Sequence, residues 1–205
     1  MPITSPSRVP RVAFVLHVMQ VAGAEMLVAE TIRQLAGQIE PVILCLDAIG
    51  PLGEVLRAEG TPVVCLNRKP GRDWGLAWRM ATELRQRRID VIHAHQYTPF
   101  FYAALGRGLR GMRPRLIFTE HGRHFPDVVS PTRRRLNRLV FRRFASAVNA
   151  CCEFSAKAVA EVEGFAPTPV SVIENGIAVD RYSQPADRAA LRTTLGLDPA
   201  RRYIA

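Results

Sequence analysis

Residues 11–48 read RVAFVLHVMQVAGAEMLVAETIRQLAGQIEPVILCLDA. Within them, the β-branched run Val12 to Val18 reads as a strand, Ala24 to Ala36 carries apolar residues at helical spacing, and Pro41 to Leu46 is a second strand-like run. The same alternation continues along the chain. Further strands are predicted at Pro62 to Leu66, Asp90 to Ala94, Arg115 to Thr119, Ala145 to Ala150 and Val170 to Ile173. Helices are predicted at Leu52 to Glu59, Trp74 to Arg88, Phe100 to Leu109, Pro131 to Phe144 and Ser155 to Glu163. Strands and helices alternating at these lengths imply a parallel sheet covered on both faces, so the expected fold class is α/β, a doubly wound Rossmann-like sheet with right-handed crossovers.

Composition agrees with a globular chain. At 205 residues and 48% hydrophobic content there is room for one large domain, or one domain and a fragment of another. The net charge of +10 comes from 28 basic residues, of which only Lys69 and Lys157 are lysine. Codon bias in a G+C-rich genome and selection for anion binding both account for that skew. No apolar run reaches the roughly 18 residues a membrane span needs. Arg8 and Arg11 before VAFVLHVMQVAGA, with Ala22-Gly23-Ala24 after it, resemble a signal peptide and its cleavage site. His17 and Gln20 interrupt that apolar region, and cleavage would delete the first strand, so a strand is the expectation. Cys45, Cys65, Cys151 and Cys152 show neither metal-ligand spacing nor a disulfide framework, which predicts buried free thiols and a cytoplasmic protein.

Three domains of behaviour follow along the chain. Residues 1–10 form a tail, 11–182 the Rossmann-like domain, and 183–205 a linker helix, Asp187 to Leu195, and the start of something further. The last apolar run opens at Tyr203 and ends at Ala205, too short to pair or bury, which suggests a fragment of a longer protein.

In an open parallel sheet, ligands bind at the carboxyl ends of the strands. VAGAE at 21–25, DVIHAH at 90–95 and TEHG at 119–122 all fall there and should converge on one cleft. Gly23 either lets the backbone approach an anion at a helix start or makes a simple tight turn. Dinucleotide and P-loop glycine patterns are absent. His93 and His95 alternate on one strand and share a face, with His95 nearer its end and His121 within reach as a third ligand if a metal were bound. A hydrogen-bonded structural role for His93, and a place in the pocket wall for His95, are the alternatives. His121, between Glu120 and Gly122, is expected at the cleft mouth. No pair of carboxylates suggests hydrolase chemistry.

The stretch PTRRRLNRLVFRRF at 131–144 is the most basic in the chain, with Ser130 as N-cap and Pro131 at the first helical position. A helical wheel places Leu136, Leu139, Val140 and Phe144 on one face and Arg134, Arg135, Arg138 and Arg142 opposite. The helix either packs its apolar face on the sheet with the arginines solvated, or presents the arginines to an anionic membrane surface or anionic acceptor. Nucleic acid is disfavoured, since aromatics are not interleaved with the charges.

Together with ENGIAVDRY at 174–182, these segments resemble the N-terminal half of family 4 retaining glycosyltransferases, which share the GT-B fold of two facing Rossmann-like domains. The resemblance implies a nucleotide-sugar donor, a glycan or lipid-linked acceptor, and no metal or other cofactor. It assigns His121 to the reacting sugar, Gly23, Gly122 and Asn175 to the donor, and His95, Tyr97, Glu120 and Arg123 to the acceptor. Ala22 stands where the family usually carries a first glycine. The missing C-terminal domain would hold most donor contacts, so residues 1–205 alone are expected to be inactive. A non-catalytic Rossmann-like binding module and a GT-B nucleotide-sugar epimerase remain as alternatives. The protein is expected to be cytoplasmic, either free or attached peripherally at the inner face of the membrane.

Overall fold

The computed structural model describes residues 8–109, 111, 113–122, 130–177, 179, 187–198 and 201–203. Two compact units divide the chain, residues 1–175 and 176–205. In the first, β1 (Arg11–Val18), α1 (Gly23–Gln34), β2 (Glu40–Ala48), α2 (Pro51–Ala58), β3 (Val63–Cys65), α3 (Trp74–Gln86), β4 (Val91–His95), α4 (Tyr97–Leu109), β5 (Arg115–Glu120), α5 (Pro131–Leu139), a 3-10 turn (Phe141–Arg143), β6 (Ala147–Ala150), α6 (Glu153–Glu161) and β7 (Ser171–Val172) follow in order. The second unit holds α7 (Arg188–Thr194), whose N-cap Asp187 accepts hydrogen bonds from the amides of Ala189 and Ala190. No helix among the described residues is long and apolar enough to cross a membrane.

The seven strands among the described residues are parallel, in the order β3-β2-β1-β4-β5-β6-β7. The chain therefore winds outward from β1 to β3, returns across the sheet, and winds outward again from β4. Alternation along β1 distributes its side chains between two cores: Ala13 and Val15 face one with residues of α3, α4 and α6, while Val12, Phe14 and Leu16 face the other with α1 and α2. Helices on both faces bury the sheet, as the apolar strands require.

The predicted elements are all present, with shifted ends. Helix α4 starts three residues earlier than expected, because Pro99 falls in its first turn, where the missing N–H has no intrahelical partner to lose. The largest difference lies at 131–144. One helix was expected to pack an apolar stripe, but α5 ends at Leu139, and Leu136, Leu139 and Val140 are exposed while Asn137 and Phe141 are buried. A polar anchor explains it: Tyr97 Oη donates to Asn137 Oδ1 (2.8 Å), and Asn137 Nδ2 donates to the backbone oxygen (2.9 Å) and carboxylate (3.2 Å) of buried Glu163. Arg133 completes it by pairing with Glu163 and lying over the Tyr97 ring, 3.4 Å from its centroid. The Ser130 cap forms as expected, its hydroxyl accepting from the Arg133 amide. The cysteines are free, yet only Cys45 is buried: Cys65 and Cys151 are half-buried and Cys152 is exposed.

Between β2 and α2, Gly50 has φ +75°, and a Cβ there would stand 2.4 Å from Met19 O and 2.8 Å from Val18 Cγ1. Those atoms end β1, so the loop has no room to retreat. Gly50→Ala is expected to destabilise the domain by about 2 kcal/mol or more, read as a lower urea midpoint with an unchanged slope.

Candidate functional site

The reversal of strand order falls between β1 and β4, and the crevice at the carboxyl ends of those two strands is the natural ligand position of this topology. His93 and His95 project there from the α1 and α2 side of β4, their ring centroids 4.2 Å apart and 5.7 and 6.2 Å from Phe14 on β1. The β4–β5 register sets His95 beside Thr119, which delivers His121 two residues later to the same place.

The cluster is held by two ring contacts. His93 Nε2 and Thr119 Oγ1 are 2.7 Å apart, and His95 Nδ1 and His121 Nε2 are also 2.7 Å apart, with those two rings stacked at 17°. His95 is only 5% exposed. Burial pushes His93 down to about 4, aided by the neighbouring His121 charge, drives His95 well below the ordinary histidine range, and lowers His121 as well. At neutral pH the three rings are therefore neutral, and a single N–H serves the His95–His121 contact. His95 Nε2 and His121 Nδ1 remain buried with no partner among the described residues. A contact of 2.7 Å is a hydrogen bond, whereas two imidazole nitrogens on one tetrahedral zinc at about 2.0–2.1 Å stand more than about 3 Å apart. The pair as placed is thus a polar, proton-sharing unit.

Its surroundings fix its position. The Cys151 thiol donates to His121 O (2.9 Å), and the Cys151 amide to Glu120 O (3.2 Å), so β6 holds the end of β5. Gln96, immediately after His95, adopts φ +70°, a conformation costly for a side-chain-bearing residue, while its amide donates to Thr119 O (2.8 Å). Neither Cys151 nor Gln96 carries a signal that single-sequence inspection could have recognised.

The remaining predicted residues fall in different places. Gly23 is the first residue of α1, after an extended Ala22, and its φ is not in the left-handed region; open space lies beside its Cα and beside that of Gly122. Glu120 is buried, at 5% exposure, at the end of β5. Tyr97 belongs to the network that seats α5. Asn175 is exposed at the end of the first unit, and Arg123 lies outside the described residues. Arg134, Arg135 and Arg138 are exposed, whereas Arg142 is half-buried and donates to Arg138 O (2.6 Å).

The family model described as Glycosyltransferase Family 4 matches residues 21–181. Among solved structures, the chain is similar to a glycosyltransferase from Rickettsia africae, with 15% identity, TM-score 0.72, and coverage of 93% of this chain and 50% of that one. It is similar to HepE from Anabaena, solved with UDP and glucose, at 21% identity and TM-score 0.71, covering 90% and 50%. MurG from Acinetobacter baumannii is similar at 14% identity and TM-score 0.56, covering 88% and 47%. No curated protein sequence matches the chain. The chain spans about half the length of these solved structures.

The histidine cluster makes the fold pH-sensitive in a defined direction. In the unfolded chain these rings titrate near pH 6.5, while folded His93 stays neutral to about pH 4, so between those values the unfolded chain binds more protons and stability falls as pH is lowered. His93 alone contributes a loss of about 3 kcal/mol over that window. Urea unfolding at pH 7.5 and 4.5 should show the loss, and His93→Gln should make it smaller by a similar amount; an equal loss in both proteins would rule His93 out as its source.

Proposed function

The chain belongs to glycosyltransferase family 4, and we propose that it is the acceptor-binding half of an enzyme that moves a sugar, with retention, from a nucleotide-sugar donor to a glycan or lipid-linked acceptor. The observation that carries this is the neutral His95–His121 pair in the switch-point crevice, with one buried ring nitrogen on each residue left to pair with a ligand. A neutral imidazole held in one tautomer can accept from or donate to a sugar hydroxyl and orient it, without adding a full charge beside the developing oxocarbenium ion. His121 is the catalytic residue of this proposal. His95, too deep for broad acceptor contact, acts on the acceptor side chiefly through it.

Open space beside Gly23 and Gly122 supports their place along the donor, with the N-terminus of α1 directed at its phosphates and Asn175 at the exit of the domain. Tyr97, Glu120 and Arg123 are assigned to the acceptor side. HepE was solved with UDP-glucose, at 21% identity, which supports a nucleotide sugar without identifying it. No metal is assigned to the histidine pair. Because donor and acceptor domains must close on each other, residues 1–205 alone are proposed not to turn over.

In a protein carrying this domain beside its donor domain, His121→Ala should lower kcat by about 10²-fold or more with little change in thermal midpoint. The assay follows labelled sugar from nucleotide to acceptor. Full activity in the variant would remove His121 from the chemistry, sugar isomerised on the nucleotide would make the protein an epimerase, and ligand binding without turnover would leave a binding module.

The exposed arginines of α5 support peripheral attachment to an anionic membrane surface on the cytoplasmic side. Arg134, Arg135 and Arg138 lie beside exposed Leu136, Leu139 and Val140, the mixture of cationic and apolar side chains that interfacial helices present. Three such charges contribute about 3 kcal/mol near an anionic leaflet, before orientation costs. Co-sedimentation should favour anionic over neutral vesicles, weaken with salt, and be lost in the Arg134, Arg135, Arg138→Glu variant. Equal binding by wild type and variant would leave α5 an ordinary solvated helix.

A further inference from the structure

The connection from β6 to α6 is made of two cysteines. β6 ends at Ala150 and α6 begins at Glu153, so Cys151 and Cys152 form the whole turn, at the same end of the sheet as the crevice. Along an extended segment successive side chains point different ways. Cys151 turns toward β5, where its thiol donates to His121 O at 2.9 Å. Cys152 is exposed at the N-cap of α6, with extended backbone angles, φ −159° and ψ 165°.

Their surroundings treat the two protons differently. Burial, and after it the neighbouring Cys152, push the Cys151 thiol up, so it keeps its proton and its hydrogen bond. Cys152 is held below the ordinary cysteine range, first by the Ser155 hydroxyl, whose Oγ lies 3.5 Å from Sγ, and then by the Ser155 amide. Ser155 is buried, which fixes that hydroxyl in place, and the N-terminus of α6 favours a negative charge. An exposed sulfur that ionises readily thus stands beside one that stays protonated. The other two cysteines lack this arrangement. Burial pushes Cys45 up to about 12, and Cys65 donates to Asp47 O (3.3 Å) and Asn67 Oδ1 (3.2 Å).

We propose that Cys151 and Cys152 are a reversible redox-modification site, oxidised by a hydroperoxide, whose closure into a disulfide releases the His121 carbonyl. In the first step the Cys152 thiolate attacks the terminal peroxide oxygen. The S–O bond forms as the O–O bond breaks, the sulfur gives up two electrons, and the departing oxygen takes a proton from solvent, leaving a sulfenic acid. Cys151 sulfur then attacks Cys152 sulfur, and the sulfenic hydroxyl leaves as water with the Cys151 proton. That is the proton which bonded His121 O, so closure removes its donor. Adjacent Cα atoms stand about 3.8 Å apart, closer than the roughly 4.4–6.8 Å of ordinary disulfides, so the ring is strained and an external thiol reopens it. His121 holds His95 through one 2.7 Å contact, and freeing its carbonyl shifts both rings. An effect on sugar transfer rests on the transferase reading; the thiol chemistry does not.

The test treats the reduced 205-residue chain with hydrogen peroxide and digests it with trypsin, which leaves Cys151 and Cys152 as the only cysteines of peptide 144–157. In the wild type that peptide should lose two hydrogens and regain them with dithiothreitol. Cys151→Ser should stop at a sulfenic acid trapped by dimedone, and Cys152→Ser should show no change. Closure should also move the NMR ring signals of His95 and His121 and leave that of His17, on β1, in place. Oxidation confined to Cys45 or Cys65, a disulfide joining two chains, or equal oxidation in Cys152→Ser would each overturn the proposal. A closed pair with unmoved His121 signals would overturn its link to the crevice. In a protein that also carries the donor domain, peroxide should lower transfer in the wild type but not in Cys152→Ser. No transfer before treatment counts against the transferase reading alone, whereas transfer unaffected by a closed pair removes the regulatory role.

Discussion

The site depends on one topological constraint. A right-handed crossover can add a parallel strand only in the direction it is already winding, so a chain that adds β2 and β3 to one side of β1 must return before it can extend the other. The helices after β1 and after β4 then depart to opposite faces. Between them the carboxyl ends of two adjacent strands are left without a connection passing over them, and backbone amides and side chains from both can reach the same point. His93 and His95 occupy that point because β4 is the strand that resumes the sheet. Moved one strand outward, the same residues would end beneath a loop.

Burial then determines what the histidines can do. A lone imidazole at the surface would be protonated over part of the physiological pH range, but His93 and His95 packed on Phe14, with His121 stacked on His95, lose the hydration a cation needs. Desolvation and mutual repulsion act in the same direction. The cluster is left with directional hydrogen bonding as its only electrostatic resource, and the orientation of one proton between His95 and His121 controls what the outer nitrogens offer to a ligand. The strained backbone at Gln96 and the Cys151 thiol on the His121 carbonyl hold that geometry from either side.

Much of this was legible in the chain, for identifiable reasons. Strands and helices follow from local periodicity, and the shared face of His93 and His95 follows from the alternation of a strand. The contact between His95 and His121 needs the β4–β5 register as well, which no local pattern encodes. Helix α5 departs from its wheel for a related reason: a helical wheel counts apolar side chains on one element, whereas Glu163 and Tyr97 come from 26 residues after and 40 before Asn137. Their carboxylate and hydroxyl made a polar residue the buried one. Cys152 escaped because adjacent cysteines on an extended segment face different surroundings.

The polar seat of α5 has an evolutionary consequence. Asn137, Glu163 and Tyr97 carry the attachment, and their requirement is chemical: an amide, a carboxylate and a phenol at fixed distances, each intolerant of exchange. The outward positions at 134, 135, 136, 138, 139 and 140 take no part in it. Selection can therefore rewrite the charge and greasiness of that surface residue by residue with little effect on folding, so descendants of one scaffold could acquire new partners through α5 while the crevice across the sheet stayed as it was.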